Sequence, residues 1–228
     1  MLGLRELRSP GGPARLEEID RADIVKVAAR KPAANFPASI AIARIQAEDY
    51  ESYTSDGVGM GNFRVLTTQE LATERQFQHI SELPSVRGVA PINRLLLTSP
   101  LKSVDDLRLA AANVQADVLL IYTIDTTFRI EGRAYGPLSV ISLGLIPNRD
   151  AHITSTASAI FKDVRTGFVY GLAESTAKAS GLANVWNTRR TIDRKRVEAE
   201  RKAFKRLIPE ISKTWTGIAR QYAAKTKP

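Results

Sequence analysis

The chain has 228 residues, 43% of them hydrophobic and 25% charged, which fits one soluble domain with a sizeable core, or one with an appended arm, and leaves little room for two. It has no cysteine, which excludes disulfides, thiolate metal sites and cysteine nucleophiles, and no apolar run near the roughly 18 residues that span a bilayer. Residues 1–188 hold 20 basic and 20 acidic side chains and residues 189–228 hold 13 and 4, so the net charge of +9 lies entirely in the last 40 residues.

The start, Met1-Leu2-Gly3-Leu4-Arg5, has no apolar signal core. Two readings follow: a cytoplasmic protein, or a mature exported chain whose signal peptide lies upstream. Residues 1–36 read as a leader, Ser9-Pro10-Gly11-Gly12-Pro13, and a short helix carrying Leu16, Ile19, Ile24, Val25 and Val27 and ending before Pro32. Residues 37–188 read as an α/β sheet domain. Pro37 to Ile45 alternates, with Ile40, Ile42 and Arg44 on one parity, and is the expected first strand. Tyr50 to Asn62 is polar and glycine-rich, a loop, and Phe63 to Leu66 a short second strand. A capping box at Thr67–Glu70 opens a helix that Pro84 stops, and Val86 to Ile92 is a third strand. Ser103–Asp106 is a second box, after which Leu107, Ala111 and Val114 fall on one helix face.

Val118 to Tyr122 is apolar on both parities, as a central strand covered on both sides should be. From Ile124 to Glu131 apolar and polar residues alternate, so the far end of that strand should be half exposed. Ile153–Phe161 and Phe168–Ala177 form a hairpin through Asp163-Val164-Arg165-Thr166-Gly167. There Asp caps the turn, Gly supplies positive φ, and Arg165 and Thr166 are expected to face solvent. The small residues Ala157, Ala159, Gly171 and Ala173 would let a helix pack close. Residues 189–228 read as a basic amphipathic helix on the same domain. Val197, Phe204, Ile208, Ile211, Trp215, Ile218 and Tyr222 form its apolar stripe, and Lys195, Lys202 and Arg206 lie opposite. Pro209 should kink it near Lys205.

Catalytic signatures are weak. His79 and His152 are the only histidines, and they stand too far apart in sequence to make a His-x-x-x-His zinc pair. No serine stands in a Gly-x-Ser-x-Gly elbow. Gly57-Val58-Gly59-Met60-Gly61 resembles part of a dinucleotide fingerprint, but a polar loop precedes it and a strand follows, the reverse of what pyrophosphate binding at a helix start requires. No cofactor, metal or catalytic residue is implied. Two surfaces are candidates for contact with a membrane or a partner. One is the basic face at Lys195, Lys202 and Arg206; the other is the apolar stretch carrying Leu138, Val140, Ile141, Leu143 and Leu145, which otherwise reads as a strand or buried turn. The basic face carries no stacking aromatic, which makes nucleic acid the poorer partner for it.

The order of helix, Ala-Asp-Val-Leu-Leu strand, strand, Asp-x-x-Thr-Gly turn, strand and long helix resembles a superfamily of exported bacterial proteins. It contains the curli secretion-channel lipoprotein, the TolB amino-terminal domain and the lipoprotein activators of penicillin-binding proteins. The likeness runs as a pattern over about residues 37 to 208 and is specific at Ala116–Asp125 and Asp163–Gly167, with the helix leading into the Ala-Asp strand seen as Ala110-Ala111-Ala112-Asn113-Val114-Gln115-Ala116-Asp117. It implies an α/β fold of about five to six strands packed against helices, ending in a hairpin and a long C-terminal helix. It also implies a periplasmic, lipid-tethered, non-enzymatic domain that binds another envelope protein or itself. The long hairpins that would form a curli-type pore are absent from the pattern. Two readings of another class stay open: a small-molecule-binding protein or enzyme using Tyr50–Asn62, and a cytoplasmic nucleic-acid binder using the basic helix.

Overall fold

The structure is a computed structural model that describes residues 22–47, 57–58, 63–66, 74–97, 101, 103–130, 133–135, 149–183 and 188–223. Its elements are α1 (22–28), β1 (Ala38–Ala47), β2 (Gly57–Val58), β3 (Phe63–Leu66), α2 (Glu74–Ser81) and β4 (Val86–Pro91). They continue with a 3-10 turn at Arg94–Leu96, α3 (Asp106–Asn113), β5 (Val118–Ile130), β6 (Arg133–Tyr135), β7 (Arg149–Asp163), β8 (Val169–Ala183) and α4 (Thr188–Tyr222).

One mixed sheet runs β2-β3-β1-β5-β7-β8, with β4 beside β1 and β6 beside β5. The α/β class is therefore as the sequence pattern requires. β5 is central: it pairs parallel with β1, Ile40 opposite Val118, and antiparallel with β7, Val118 opposite Asp163. On one face Ile40, Ile42, Leu120, Tyr122, Ile124 and Phe161 pack under α4 through Phe204, Leu207, Ile211 and Trp215. On the other, Ala41, Ala43, Leu119 and Ile121 pack under Leu107, Ala110 and Ala111 of α3. Burial of each large aliphatic side chain contributes about 1.5–3 kcal/mol, so a strand covered on both faces contributes heavily to stability.

α4 lies along β8 and β7. A Cβ added to Gly171 would come 2.8 Å from Thr214 Cγ2, so the glycine is what admits the helix. β8 ends the sheet, and α4 bonds to it from the side: Arg206 Nη1 donates to Thr176 O at 2.9 Å and Thr214 Oγ1 to Leu172 O at 3.3 Å. Carbonyls on a terminal strand are thereby occupied, which hinders pairing with a foreign strand.

Local details depart from the sequence reading in two places. Gly57–Val58, inside the segment expected as loop, pairs with Val65–Leu66 and extends the sheet beyond β3. α3 begins at Asp106, and only half of the Ser103 capping box forms, Asp106 Oδ2 accepting from the Ser103 amide at 2.8 Å. The long C-terminal helix is a single element through Pro209, which is exposed. The Thr67–Glu70 box lies outside the described residues.

Candidate functional site

Three carboxylates gather where β5 begins and β7 ends, and each holds a different piece of chain. Asp163, fully buried, closes its own turn by accepting from the Arg165 and Thr166 amides with Oδ1, both at 2.9 Å. Its Oδ2 accepts from the Ala33 amide and the Tyr170 hydroxyl, both at 2.7 Å. Burial pushes this carboxyl up, but the Tyr170 hydroxyl and the Thr166, Ala33 and Arg165 amides outweigh it and hold it below the ordinary 3.8. Tyr170 moves the other way, raised by burial and by its bond to Asp163. Gly167 has φ +71, as the turn requires.

Asp117, of the Ala-Asp pair that leads into β5, ties β1 to β5: its Oδ2 accepts from the Ser39 amide at 3.0 Å and its own amide donates to Ser39 O at 2.8 Å. Arg87 and Arg165 each approach it at 3.8 Å. Asp105 takes Lys162, and Arg30 at 3.5 Å. Burial raises its pKa, but the bond and charge of Lys162 and the charges of Arg108 and Arg30 bring it below 3.8. Arg108 Nε donates to Val164 O at 2.9 Å. The donors around Asp163 and Asp105 favour their ionised forms, and all three carboxylates hold backbone or cationic partners, so the cluster works as a clamp on the chain.

The turn is therefore more than a reversal of chain direction. Arg165 and Thr166, expected to face solvent, both reach back to residues before β1: Thr166 Oγ1 donates to Lys31 O at 2.7 Å and Arg165 Nη1 to Ala33 O at 3.3 Å. Arg165 is still largely exposed; Thr166 is not.

A second polar cluster lies buried under α4. Glu200 pairs with Arg196 one turn earlier and with Arg44 Nη2 at 3.8 Å, all three about 2% exposed. Thr126 Oγ1 and Ser155 Oγ are 2.8 Å apart, and Gln46 Nε2 donates to Ile124 O at 3.2 Å. Arg44 Nε and Nη1 and the Tyr122 hydroxyl have no hydrogen-bond partner among the described residues. Burial pushes Tyr122 up to about 12, despite the Arg44 charge. The sequence held the signal for Arg44, which shares the parity of the core residues Ile40 and Ile42.

The residues singled out on the basic helix are occupied. Lys195 and Lys202 both bond Glu198, at 2.9 and 2.8 Å, which brings that exposed carboxylate down to about 2, and Arg206 holds Thr176 O. The buried side of α4 is also wider than the stripe: Arg196, Ala199, Glu200, Ala203 and Leu207 are inside, whereas Val197 and Tyr222 are half-buried. Leu138, Val140, Ile141, Leu143 and Leu145 lie outside the described residues, as does all of the Tyr50–Asn62 loop except Gly57 and Val58. His79 meets Ser212 Oγ at 3.2 Å. No metal-holding cluster of acidic residues, histidines or cysteines occurs among the described residues.

Ile24, Val25 and Val27 of α1 are 55–68% exposed. Leu95 and Leu109 are exposed as well, Leu109 on the rim of a cavity of about 200 Å³ that Leu96, Leu97, Leu101, Asp105, Asp106 and Ala110 also line. The solvent face of α4 is basic, with Arg194, Arg201, Lys205, Lys213 and Arg220 all exposed.

No protein-family model matches the chain, and no curated protein does. Among solved structures it is similar to a neuraminyllactose-binding hemagglutinin homologue of Helicobacter pylori, at 8% identity and a TM-score of 0.42 over 85% of this chain and 94% of that one. It is also similar to the hypothetical protein CT253 of Chlamydia trachomatis, at 11% identity and a TM-score of 0.33 over 77% of this chain and 95% of that one. No helix among the described residues is long and apolar enough to cross a membrane.

Proposed function

We propose that this chain is a non-enzymatic domain of the bacterial cell envelope, facing the periplasm and tethered by a lipid upstream of its first residue, and that it acts by binding another envelope protein or a second copy of itself. The superfamily of the curli secretion-channel lipoprotein and the TolB amino-terminal domain is the kinship this reading assumes. In its support, the two segments that carry the resemblance do structural work at one place: Asp117 joins β1 to β5, and the Asp163 turn joins the hairpin to the chain before β1. The observation that carries a binding role is the exposed aliphatic surface. Ile24, Val25 and Val27 on α1, Leu95 in the 3-10 turn and Leu109 on the cavity rim are side chains that a monomer gains nothing by exposing.

Two measurements test this. Fractionation of cells expressing the gene from its own start, with mass spectrometry of the amino-terminal peptide, should find a lipid-modified protein in the envelope fraction; an unmodified cytosolic protein rejects the location. Light scattering over a concentration series, together with in-cell crosslinking, should report a complex. The combined change Ile24→Asp, Val27→Asp and Leu109→Asp should abolish that complex while leaving the melting temperature unchanged. A complex that survives it places the interface elsewhere.

A further inference from the structure

We infer that the solvent face of α4 docks on an anionic phospholipid bilayer through Arg194, Arg201, Lys205, Lys213 and Arg220. These are not the cations that the helix pattern singles out. Lys195 and Lys202 share Glu198 and Arg206 is bonded to β8, whereas no hydrogen bond or ion pair engages these five among the described residues. At about 100° per residue they fall within a sector of about 120°. From Arg194 to Arg220 the row is about 39 Å long at 1.5 Å per residue.

The opposite side of the helix decides the kind of contact. Ala199, Ala203, Leu207 and Trp215 are fully buried against the sheet. α4 therefore has no apolar face to insert between lipids, and its attraction is to phosphate at the surface only, reversible and sensitive to salt. A plane of headgroups meets the whole row at once. Duplex nucleic acid fits less well: the row exceeds one helical turn of about 34 Å, so a single winding strand passes out of its reach. The helix is also packed along the sheet rather than projecting into a groove, and the basic sector carries no aromatic residue for stacking. The envelope reading is what places the chain near such a bilayer, and the inference rests on it for that alone.

Sedimentation of the full chain with vesicles of phosphatidylcholine, or of phosphatidylcholine and phosphatidylglycerol in equal parts, tests it across a salt series. Wild type should bind only the anionic vesicles, and lose them as salt rises. The combined change Arg201→Gln, Lys205→Gln and Lys213→Gln should weaken binding about five-fold per charge, roughly a hundred-fold in all. Lys26→Gln, Lys31→Gln and Lys178→Gln together remove the same net charge from exposed positions elsewhere, and should change binding only a few-fold. Equal losses in the two variants, no loss in the first, or equal binding of wild type to neutral vesicles overturns the inference. So does tighter binding to duplex DNA than to anionic vesicles at the same salt. A cytosolic, unmodified native protein would instead remove the envelope reading and leave the vesicle result standing.

Discussion

Asp163→Asn replaces a carboxylate by its closest neutral shape and tests whether this residue is the clamp on the chain before β1. In the wild type four donors converge on the two oxygens: the Arg165 and Thr166 amides on one, the Ala33 amide and the Tyr170 hydroxyl on the other. An asparagine has one accepting oxygen. Whichever way its amide is turned, the NH2 group faces donors, and at least one part-buried backbone N–H loses its acceptor on the fully buried side chain. Hydrogen bonds to a charged acceptor contribute about 1.5–3 kcal/mol each, so the loss should be about 2–5 kcal/mol, a large part of the total for a domain of this size. Urea unfolding at neutral pH measures it. The folded-state pKa of Asp163 lies below the ordinary 3.8, so its stabilisation is fully present above 3.8 and is lost as pH falls through the folded value. The gap between wild type and variant should therefore be constant from pH 7 to about 5 and narrow in acid. Amide exchange at Ala33 should accelerate in the variant. A gap under about 1 kcal/mol at pH 7, or one that stays the same into acid, would refute the clamp.

Trp215→Ala should cost about 3–5 kcal/mol in the same assay, since the ring is fully buried between Phe36 and Phe161 and donates to Pro84 O at 2.8 Å; a cost under 1 kcal/mol would mean that α4 does not cover the sheet. Leu120→Ala removes a fully buried side chain from the central strand and should cost about 2–5 kcal/mol. Gly167→Val should lower the melting temperature far more than Arg165→Ala. The valine must adopt φ +71 with its Cβ 3.0 Å from Arg108 Nη1, whereas Arg165 is exposed and its pair with Asp117 spans 3.8 Å; the reverse order would mean that the turn is set by its charges. Arg44→Met removes a buried cation with two nitrogens unpaired among the described residues and leaves Glu200 its Arg196 partner, so stability should rise or fall by no more than about 1 kcal/mol; a loss above 3 kcal/mol would show that Arg44 is indispensable to the network.

What could be read from the chain itself is what short-range physics writes into it. Val118–Tyr122, apolar on both parities, had to lie at the centre of a sheet covered on both faces, and it does, under α3 and α4. Asp163 to Gly167 reads as a turn because an aspartate that caps its own amides and a glycine at positive φ act within five residues. Gly171 and the alanines of the hairpin announce a close helix for the same reason: side-chain size is local information. Charge and burial at longer range are not. The bond from Ala33 to Asp163 joins residues 130 apart, and nothing in either neighbourhood names the other. Arg196 and Glu200 look like ordinary surface residues of a basic helix, yet α4 meets the sheet so that they turn inward towards Arg44, which itself sat on a core parity. Which lysines and arginines on α4 remain unpaired was likewise settled by where Glu198 and the carbonyls of β8 come to lie, because an exposed cation is spoken for only when the folded chain brings an acceptor within reach.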